Sequence, residues 1–197
     1  MCSWCWGFRP VFESLLNHIS ANLPENLHDQ IDIQYVMGGL APDSDQPMPE
    51  ETCLYVQKQW QLVAEKTGAK FNWDFWTNCQ PHRSTYPACR AVIAAGQQGK
   101  EHIPNMIHAI QEAYYLQARN PSDLTTLITL AKEIDLNIDH FEHDLTSPEA
   151  EQLLQADFKT RRRLGVNSFP TVLLETDEGL HFLAQGDDSL DNILKRL

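Results

Sequence analysis

The chain has 197 residues and a net charge of −12, with 27 acidic side chains against 15 lysines and arginines. This charge disfavours a phosphate backbone, and no apolar run approaches the ~20 residues that span a bilayer, so we expect neither nucleic acid nor a membrane as a partner. No basic segment followed by an apolar run resembles a signal peptide, and an odd number of scattered cysteines favours a reducing, cytoplasmic location.

A C-x-x-C pair, Cys2 and Cys5, opens the chain, and apolar residues at helical spacing follow it. The pair therefore lies at a helix start, where unpaired backbone N–H groups and the helix dipole favour a thiolate at Cys2. Cys5 is one turn further on and within reach to form a disulfide, which suits thiol–disulfide exchange. Structural zinc needs four ligands, and no second cysteine pair is present, so we expect no metal site. Two inert buried thiols are the other alternative.

The segment after this helix changes character twice. The helix should end near Ala21, because the polar stretch that follows contains Pro24. Residues 31–37 alternate and are rich in β-branched side chains, which predicts a strand ending at the Gly38-Gly39 step. A proline-containing loop, 41–49, follows this step.

Apolar residues at helical spacing dominate from residue 50 to about residue 135, which predicts a block of successive helices. The first of them should close at Gly68, and an aromatic run with Trp73, Phe75 and Trp76 follows it. The later helix starts are marked by capping residues and prolines, namely Ser84 or Thr85 with Pro87, Pro104, and Ser122.

The last third of the chain returns to mixed structure. Ser147 and Pro148 should open a helix that ends at Gly165 after three arginines, which complement the dipole of that helix. Two short strands, 171–174 and 181–184, are predicted next, and Asp188 or Ser189 should cap a final helix. The predicted order is helix, strand, helical block, helix, hairpin, helix.

This order, with Cys2-Ser3-Trp4-Cys5 at its start and the segment 166–171 (Val-Asn-Ser-Phe-Pro-Thr) before the hairpin, resembles the DsbA-like thioredoxin family. Within that family it is similar to the FrnE-like branch of cytosolic dithiol–disulfide oxidoreductases, and segment 83–91 looks like that branch too. The resemblance implies an α/β thioredoxin fold with a large all-helical insertion. The implied domains are a thioredoxin-like part over 1–45, the helical insertion over 46–140, and the second thioredoxin-like part over 141–197.

The resemblance also implies roles for individual residues. Cys2 would be the attacking cysteine and Cys5 the resolving one, and Pro170 would be a cis-proline opposite the disulfide. A cis bond there would turn the backbone of the preceding residue toward Cys2, where it can pair with an extended substrate. The alternative is an ordinary trans proline entering a strand. The expected substrate-contacting residues are Ser3, Trp4, Phe169 and Thr171.

One feature departs from the family pattern. In this family a strand precedes the C-x-x-C motif and forms a central member of the sheet, whereas only Met1 precedes Cys2 in this sequence. A sheet without that strand would leave buried edges unpaired. We therefore expect that the natural chain begins upstream of Met1, or else that a partner chain donates a strand.

The sequence thus predicts a thiol–disulfide oxidoreductase of the exchange or isomerase type that needs no metal or organic cofactor. Its expected partners are protein or small-molecule thiols and disulfides, with glutathione as the candidate redox partner. A first alternative is a glutathione-dependent transferase or isomerase, since the kappa-class transferases and hydroxychromene-carboxylate isomerases resemble the same architecture; the second cysteine argues against it. A second alternative is a non-catalytic redox-sensing or peptide-binding module.

Overall fold

The computed structural model describes residues 1–22 and 32–197. Within these ranges the elements follow the predicted order, with a helix first, a long helical block, a hairpin and a final helix, except that the strand predicted after the first helix is not found. The helices are α1 (Ser3–Asn22), α2 (Glu50–Thr67), α3 (Phe75–Asn78), α4 (Tyr86–Gln97), α5 (His102–Tyr115), α6 (Leu124–Glu133), α7 (Ile138–Leu145), α8 (Pro148–Arg163) and α9 (Leu190–Leu194), and the strands are β1 (Thr171–Thr176) and β2 (Gly179–Gln185). None of the described helices is long and apolar enough to cross a bilayer.

The chain divides into two compact units. One, here the hairpin unit, comprises residues 2–35, 59–69 and 166–197; the other, the helical unit, comprises Met1 and residues 36–58 and 70–165. Packing rather than chain order defines these units, so α2 contributes its first half to the helical unit and its second half to the hairpin unit. The domain limits at 45 and 140 remain a prediction from sequence.

The hairpin unit has a small core of its own. One face of α1 buries Phe8 and Leu15 against Leu183 and Ala184 of β2. The strands pair antiparallel with Thr171 opposite Gln185 and Thr176 opposite Gly179, and an irregularity lies between Val172 and Leu173. The final helix is capped as predicted, because the Ser189 side chain accepts the N–H of Asn192. The remaining buried or partly buried members of this core are Val11, Phe12, Ile19, Val172, Leu174, Leu190, Ile193 and Leu194.

The prediction of a strand over 31–37 is wrong for its described part. Residues 32–37 form neither helix nor strand, and residue 31 lies outside the described residues. A strand exists only where its backbone groups find a partner, and in the part of the chain that the structure describes β1 and β2 pair only with each other. The segment is instead held by side chains, since the N–H of Met37 donates to a carboxylate oxygen of Asp157 at 2.9 Å.

The helical unit packs around residues of α4, α5, α6 and α7. Ala91, Met106, Leu127 and Phe141, one from each helix in that order, have no exposed surface. Alanines at 88, 91, 94 and 95 line the buried face of α4, and such short side chains let neighbouring helices approach closely.

Most helix limits in this unit agree with the sequence prediction, with three differences. The four-residue helix α3 lies in the aromatic run, where no helix was predicted. The helix α7 was not predicted, because its eight residues interleave acidic and apolar side chains over barely two turns; it is capped by Asn137, which accepts the N–H of His140 at 3.0 Å. The N-cap position of α6 is occupied by Asp123 rather than Ser122, and the Asp123 side chain makes no capping hydrogen bond. The Ser122 hydroxyl donates instead to the Ser84 carbonyl at 2.8 Å, so a tertiary contact outweighs its local capping tendency.

Candidate dithiol site

The two cysteines lie where α1 begins. Cys2 immediately precedes the first helical residue and Cys5 lies in the first turn, and both side chains are partly buried. The N–H of Cys5 donates to Sγ of Cys2 at 3.2 Å, and the N–H of Trp6 donates to the Cys2 carbonyl at 3.3 Å. No acidic residue occupies the first turn of this 20-residue helix, so no carboxylate there offsets the positive end of its dipole.

This geometry separates the acidities of the two thiols. The hydrogen bond with the Cys5 side chain lowers the pKa of Cys2, and the Cys5 backbone N–H lowers it further, while burial opposes both. The hydrogen bond to Cys2 raises the pKa of Cys5 well above its usual value, and burial and the charge of Cys2 raise it further. In the reduced pair, therefore, Cys2 ionises first and Cys5 keeps its proton.

A backbone carbonyl from the loop before β1 completes the surroundings of the sulfur. The Phe169–Pro170 peptide bond is cis, and Sγ of Cys2 lies 3.6 Å from the Phe169 carbonyl oxygen, to which the protonated thiol donates. Hydrogen bonds tie this loop to the hairpin, with the Thr171 hydroxyl donating to the Ser168 carbonyl at 2.8 Å and the N–H of Gly186 donating to the Pro170 carbonyl at 3.0 Å. All these residues belong to the hairpin unit.

The residues between the cysteines differ in their surroundings. Ser3 is buried, whereas Trp4 is partly exposed and its indole N–H donates to Oε1 of Gln59 at 3.1 Å. The ammonium group of Lys66 lies 5.5 Å from the centroid of the Trp4 ring and pairs with Asp187 at 2.9 Å. The sequence did not point to Gln59, Lys66 or Asp187, because no local motif connects them to the cysteine pair.

The structure thus brings Cys2, Cys5, Phe169 and Pro170 together. Whether Ser3, Trp4, Phe169 and Thr171 contact a substrate remains a prediction.

The other three cysteines lie in the helical unit. Burial raises the pKa of Cys53 and of Cys79, and it raises the pKa of Cys89 to about 11. The Cys53 thiol donates to the Met48 carbonyl at 3.6 Å and the Cys79 thiol donates to the Ala118 carbonyl at 2.9 Å. These thiols are therefore poor nucleophiles at neutral pH. Over residues 1–22 and 32–197, no three His, Cys, Asp or Glu side chains are grouped so as to hold a metal ion.

A dithiol at a helix start, next to the carbonyl before a cis-proline and a β-hairpin, defines a thioredoxin-fold protein of the dithiol class. A family model described as Thioredoxin matches residues 1–193, and the chain belongs to this family.

Solved structures share this fold over nearly the whole chain. A putative protein disulfide isomerase from Nitrosomonas europaea is 27% identical, with 99% of this chain and 90% of that chain covered and a TM-score of 0.80. The cytosolic disulfide reductase DsbM from Pseudomonas aeruginosa is 22% identical, with 99% and 92% covered and a TM-score of 0.77. The predicted DsbA-like thioredoxin family and the thioredoxin fold with a helical insertion are confirmed.

Curated relatives match a shorter part of the chain. The ClpXP adapter protein SpxH of Bacillus subtilis is 29% identical over 126 residues, which are 61% of this chain and 42% of the relative. SpxH of Shouchella clausii is 32% identical over 92 residues, which are 47% of this chain and 31% of the relative. The matched region therefore spans less than half the length of either relative.

Proposed function

We propose that the chain is a thiol–disulfide oxidoreductase that acts through Cys2 and Cys5. The observation that carries the proposal is the separation of the two thiol pKa values, since the pKa is lowered at Cys2 and raised at Cys5. The two residues are in contact, since the Cys5 N–H donates to Sγ of Cys2 at 3.2 Å. Thiol–disulfide exchange needs one cysteine that attacks the substrate as a thiolate and a second that stays protonated until it resolves the mixed disulfide. The disulfide oxidoreductases among its structural neighbours support the same class of reaction.

The reduction of a substrate disulfide proceeds in two displacements. The Cys2 thiolate attacks one substrate sulfur, a Cys2–substrate disulfide forms, and the substrate S–S bond breaks to release a thiolate that takes up a proton. Cys5 then loses its proton and attacks Sγ of Cys2, so the second substrate thiolate leaves and a Cys2–Cys5 disulfide remains. The substrate gains two electrons and the protein loses two. The reverse sequence oxidises a dithiol, and successive exchange on one substrate isomerises it.

The surroundings of Cys5 explain how the second displacement starts. The hydrogen bond to Cys2 and the negative charge of Cys2 both raise the pKa of Cys5. Once Cys2 is bound in a mixed disulfide it carries no charge and its sulfur is a weak acceptor. Two of the three effects that hold the Cys5 proton are then removed, which favours a Cys5 thiolate when it is needed.

Substrate contact is assigned to the loop before β1. The Phe169 carbonyl lies beside Cys2, and we propose that the backbone of Phe169 pairs with an extended substrate while Pro170, Thr171 and Trp4 border it. Ser3 is buried, so any contribution from it acts through the backbone. We propose that the protein works in the cytoplasm, as the cytosolic disulfide reductase DsbM does, and needs no metal or organic cofactor.

Equilibration in glutathione redox buffers tests the proposal, with thiols trapped and the species at Cys2 and Cys5 identified by mass. We expect a two-electron transition to an intramolecular Cys2–Cys5 disulfide. Cys2→Ser should abolish exchange, Cys5→Ser should trap a mixed disulfide, and Cys53→Ser is the matched control that should behave as wild type. Normal turnover by Cys2→Ser would overturn the assignment.

A glutathione-dependent transferase or isomerase is the second candidate, and glutathione binding by a structural neighbour supports it. DsbM has also been solved with GSH, in a structure 21% identical to this chain with a TM-score of 0.75. In this alternative Cys2 binds or reacts with glutathione and Cys5 plays no redox part. A stable single glutathione adduct on Cys2, with Cys5 never oxidised, would favour this candidate over exchange.

A non-catalytic module is the third candidate, because the curated relatives are adapter proteins. A peptide-binding adapter binds its partner without turnover, so a Cys2→Ser/Cys5→Ser double variant would still bind it. A redox-sensing module would bind its partner in one redox state and release it on oxidation, and the double variant would no longer respond to oxidation. The aromatic run with Trp73, Phe75 and Trp76 could support partner binding, but Phe75 is fully buried while Trp73 is 42% exposed, so only part of the run can contact a partner. Multiple turnovers of disulfide exchange by wild-type protein, lost in the double variant, would exclude a non-catalytic module.

A further inference from the structure

The Trp4 indole is held from two sides by residues outside the cysteine motif. Its N–H donates to Gln59 at 3.1 Å, and the Lys66 ammonium group lies 5.5 Å from its ring centroid. Gln59 and Lys66 are seven residues apart in α2, which is two helical turns, so they project from the same face of that helix. Asp187 in turn holds the ammonium group of Lys66 at 2.9 Å.

The backbone of α1 lies very close to the same stretch of α2. A Cβ atom built on Gly7 would lie 2.7 Å from Cγ1 of Val63 and 2.8 Å from Oγ1 of Thr67. Gly7 is one turn after Trp4 in α1, and Val63 lies between Gln59 and Lys66 in α2. The start of α1 is therefore fixed against α2 by backbone packing at Gly7 and by the indole contacts at Trp4.

We propose that Gln59 and Lys66 are positioning residues of the dithiol site that stabilise its reduced form through Trp4. The inference rests on the proposed exchange function. Trp4 directly precedes Cys5 in the chain, so contacts that fix the Trp4 indole also restrict the peptide group between the two residues. The N–H of that peptide group belongs to Cys5 and donates to Sγ of Cys2 in the reduced pair. Disulfide formation requires the two sulfurs to approach to about 2.05 Å, so Cys2 and Cys5 must leave the positions in which this hydrogen bond forms. Contacts that fix the Cys5 peptide in its present position therefore favour the reduced form.

Lys66 acts through the Trp4 ring rather than through a direct effect of its charge on Cys2. Its ammonium group is paired with Asp187, so the pair as a whole is close to neutral. Lys66 is also absent from the groups that shift the pKa of Cys2, which are the Cys5 side chain and nearby backbone and terminal groups. A dithiol protein whose reduced form is stabilised is a stronger oxidant, so removing these contacts should shift the equilibrium toward the disulfide.

The test compares equilibrium constants with glutathione for the whole chain. Lys66→Met keeps the apolar stem and removes the ammonium group, and we expect it to shift the equilibrium about two- to fivefold toward the disulfide, as for an exposed cation–π contact. Gln59→Leu should shift it in the same direction by about two- to tenfold, as for one hydrogen bond. The matched controls are Lys58→Met and Gln61→Leu, two exposed positions on α2, which should leave the constant unchanged.

A Trp4→Leu background separates positioning from direct charge effects. Lys66→Met should cause no further shift there, because the ring through which Lys66 acts is absent. A shift of the same size with and without Trp4 would overturn the proposal, as would a wild-type equilibrium constant in both the Lys66→Met and Gln59→Leu variants. If wild-type protein formed no Cys2–Cys5 disulfide at all, the proposed function itself would fail and the inference with it.

Discussion

Replacement of Gly39 by alanine should destabilise the helical unit for two separable reasons. Gly39 has a φ of +61°, a conformation that L-residues disfavour because Cβ approaches the carbonyl oxygen. An added Cβ would also overlap the ring of Phe158. That ring cannot easily move aside, since it is only 5% exposed and its centroid lies 5.0 Å from the ring centroid of Tyr86.

The two contributions can be estimated separately. The left-handed backbone costs a non-glycine residue about 1 to 2 kcal/mol. Forcing an extra carbon into a packed core costs about 1 to 3 kcal/mol more. We therefore expect Gly39→Ala to lower the free energy of unfolding by about 2 to 5 kcal/mol.

Gly165→Ala is a control that carries the first contribution alone. Gly165 has a φ of +68°, and no heavy atom lies within 4 Å of a Cβ built there, so its replacement should cost only about 1 to 2 kcal/mol. Urea denaturation measures both variants, through midpoints compared at an unchanged slope. Equal losses in the two variants would refute the steric argument. A smaller loss for Gly39→Ala in a Phe158→Leu background would support it.

Three further predictions concern charges. Alkylation of the reduced protein as a function of pH should show Cys2 reacting with a midpoint below 9.0, because the pKa of Cys2 is lowered from that value. Cys5 should stay largely unreacted, because its pKa is raised. Equal labelling of both thiols at neutral pH would contradict the prediction that Cys2 ionises before Cys5. Arg90→Met removes hydrogen bonds of 2.6 to 3.0 Å to the carboxylates of Asp43 and Glu151, and urea denaturation should show a free energy of unfolding lower by about 1 to 2 kcal/mol. Arg90→Lys should lose less stability than Arg90→Met but remain below wild type, because an ammonium group cannot reproduce the paired hydrogen bonds of a guanidinium. Burial raises the pKa of Asp157, so ionising this carboxyl costs more in the folded than in the unfolded chain, and its own contribution to stability should fall as pH rises above about 4. Asp157→Asn keeps an acceptor for Met37, so thermal unfolding should show the variant gaining stability relative to wild type as pH rises through this range; a difference that stays constant with pH would contradict the reasoning.

Local signals in the sequence predicted much of the fold correctly. The start of α1 at the cysteine pair, the Ser147 cap of α8, the β1–β2 hairpin and the Ser189 cap of α9 all depend on residues within a few positions of one another. Capping, turn formation and hairpin register are short-range interactions, so a single sequence carries them. The cysteine pair and the segment before the hairpin also pointed to the family that the comparisons confirm.

Contacts between residues distant in the chain determined the features that differ from the sequence prediction. Alternation over 31–37 indicated strand propensity, but a strand needs a hydrogen-bonded neighbour, and the described residues of this segment have none in a sheet. Ser122 could cap a helix, yet it bonds to Ser84, 38 residues away. In both cases a partner distant in the chain determined the outcome.

The features of the dithiol site also separate into those that local sequence predicts and those that depend on the tertiary structure. The sequence by itself determined the reactive residue types and their place at a helix start, because a C-x-x-C spacing and an apolar helical pattern are local properties. The family resemblance implied that the backbone before Pro170 lies beside Cys2, 167 residues away from Phe169, and the structure has this contact. Only the tertiary structure placed Trp4 against Gln59 and Lys66. The hydrogen bonds that separate the two thiol pKa values are local to the motif, whereas the burial that opposes ionisation of both thiols depends on how the chain folds.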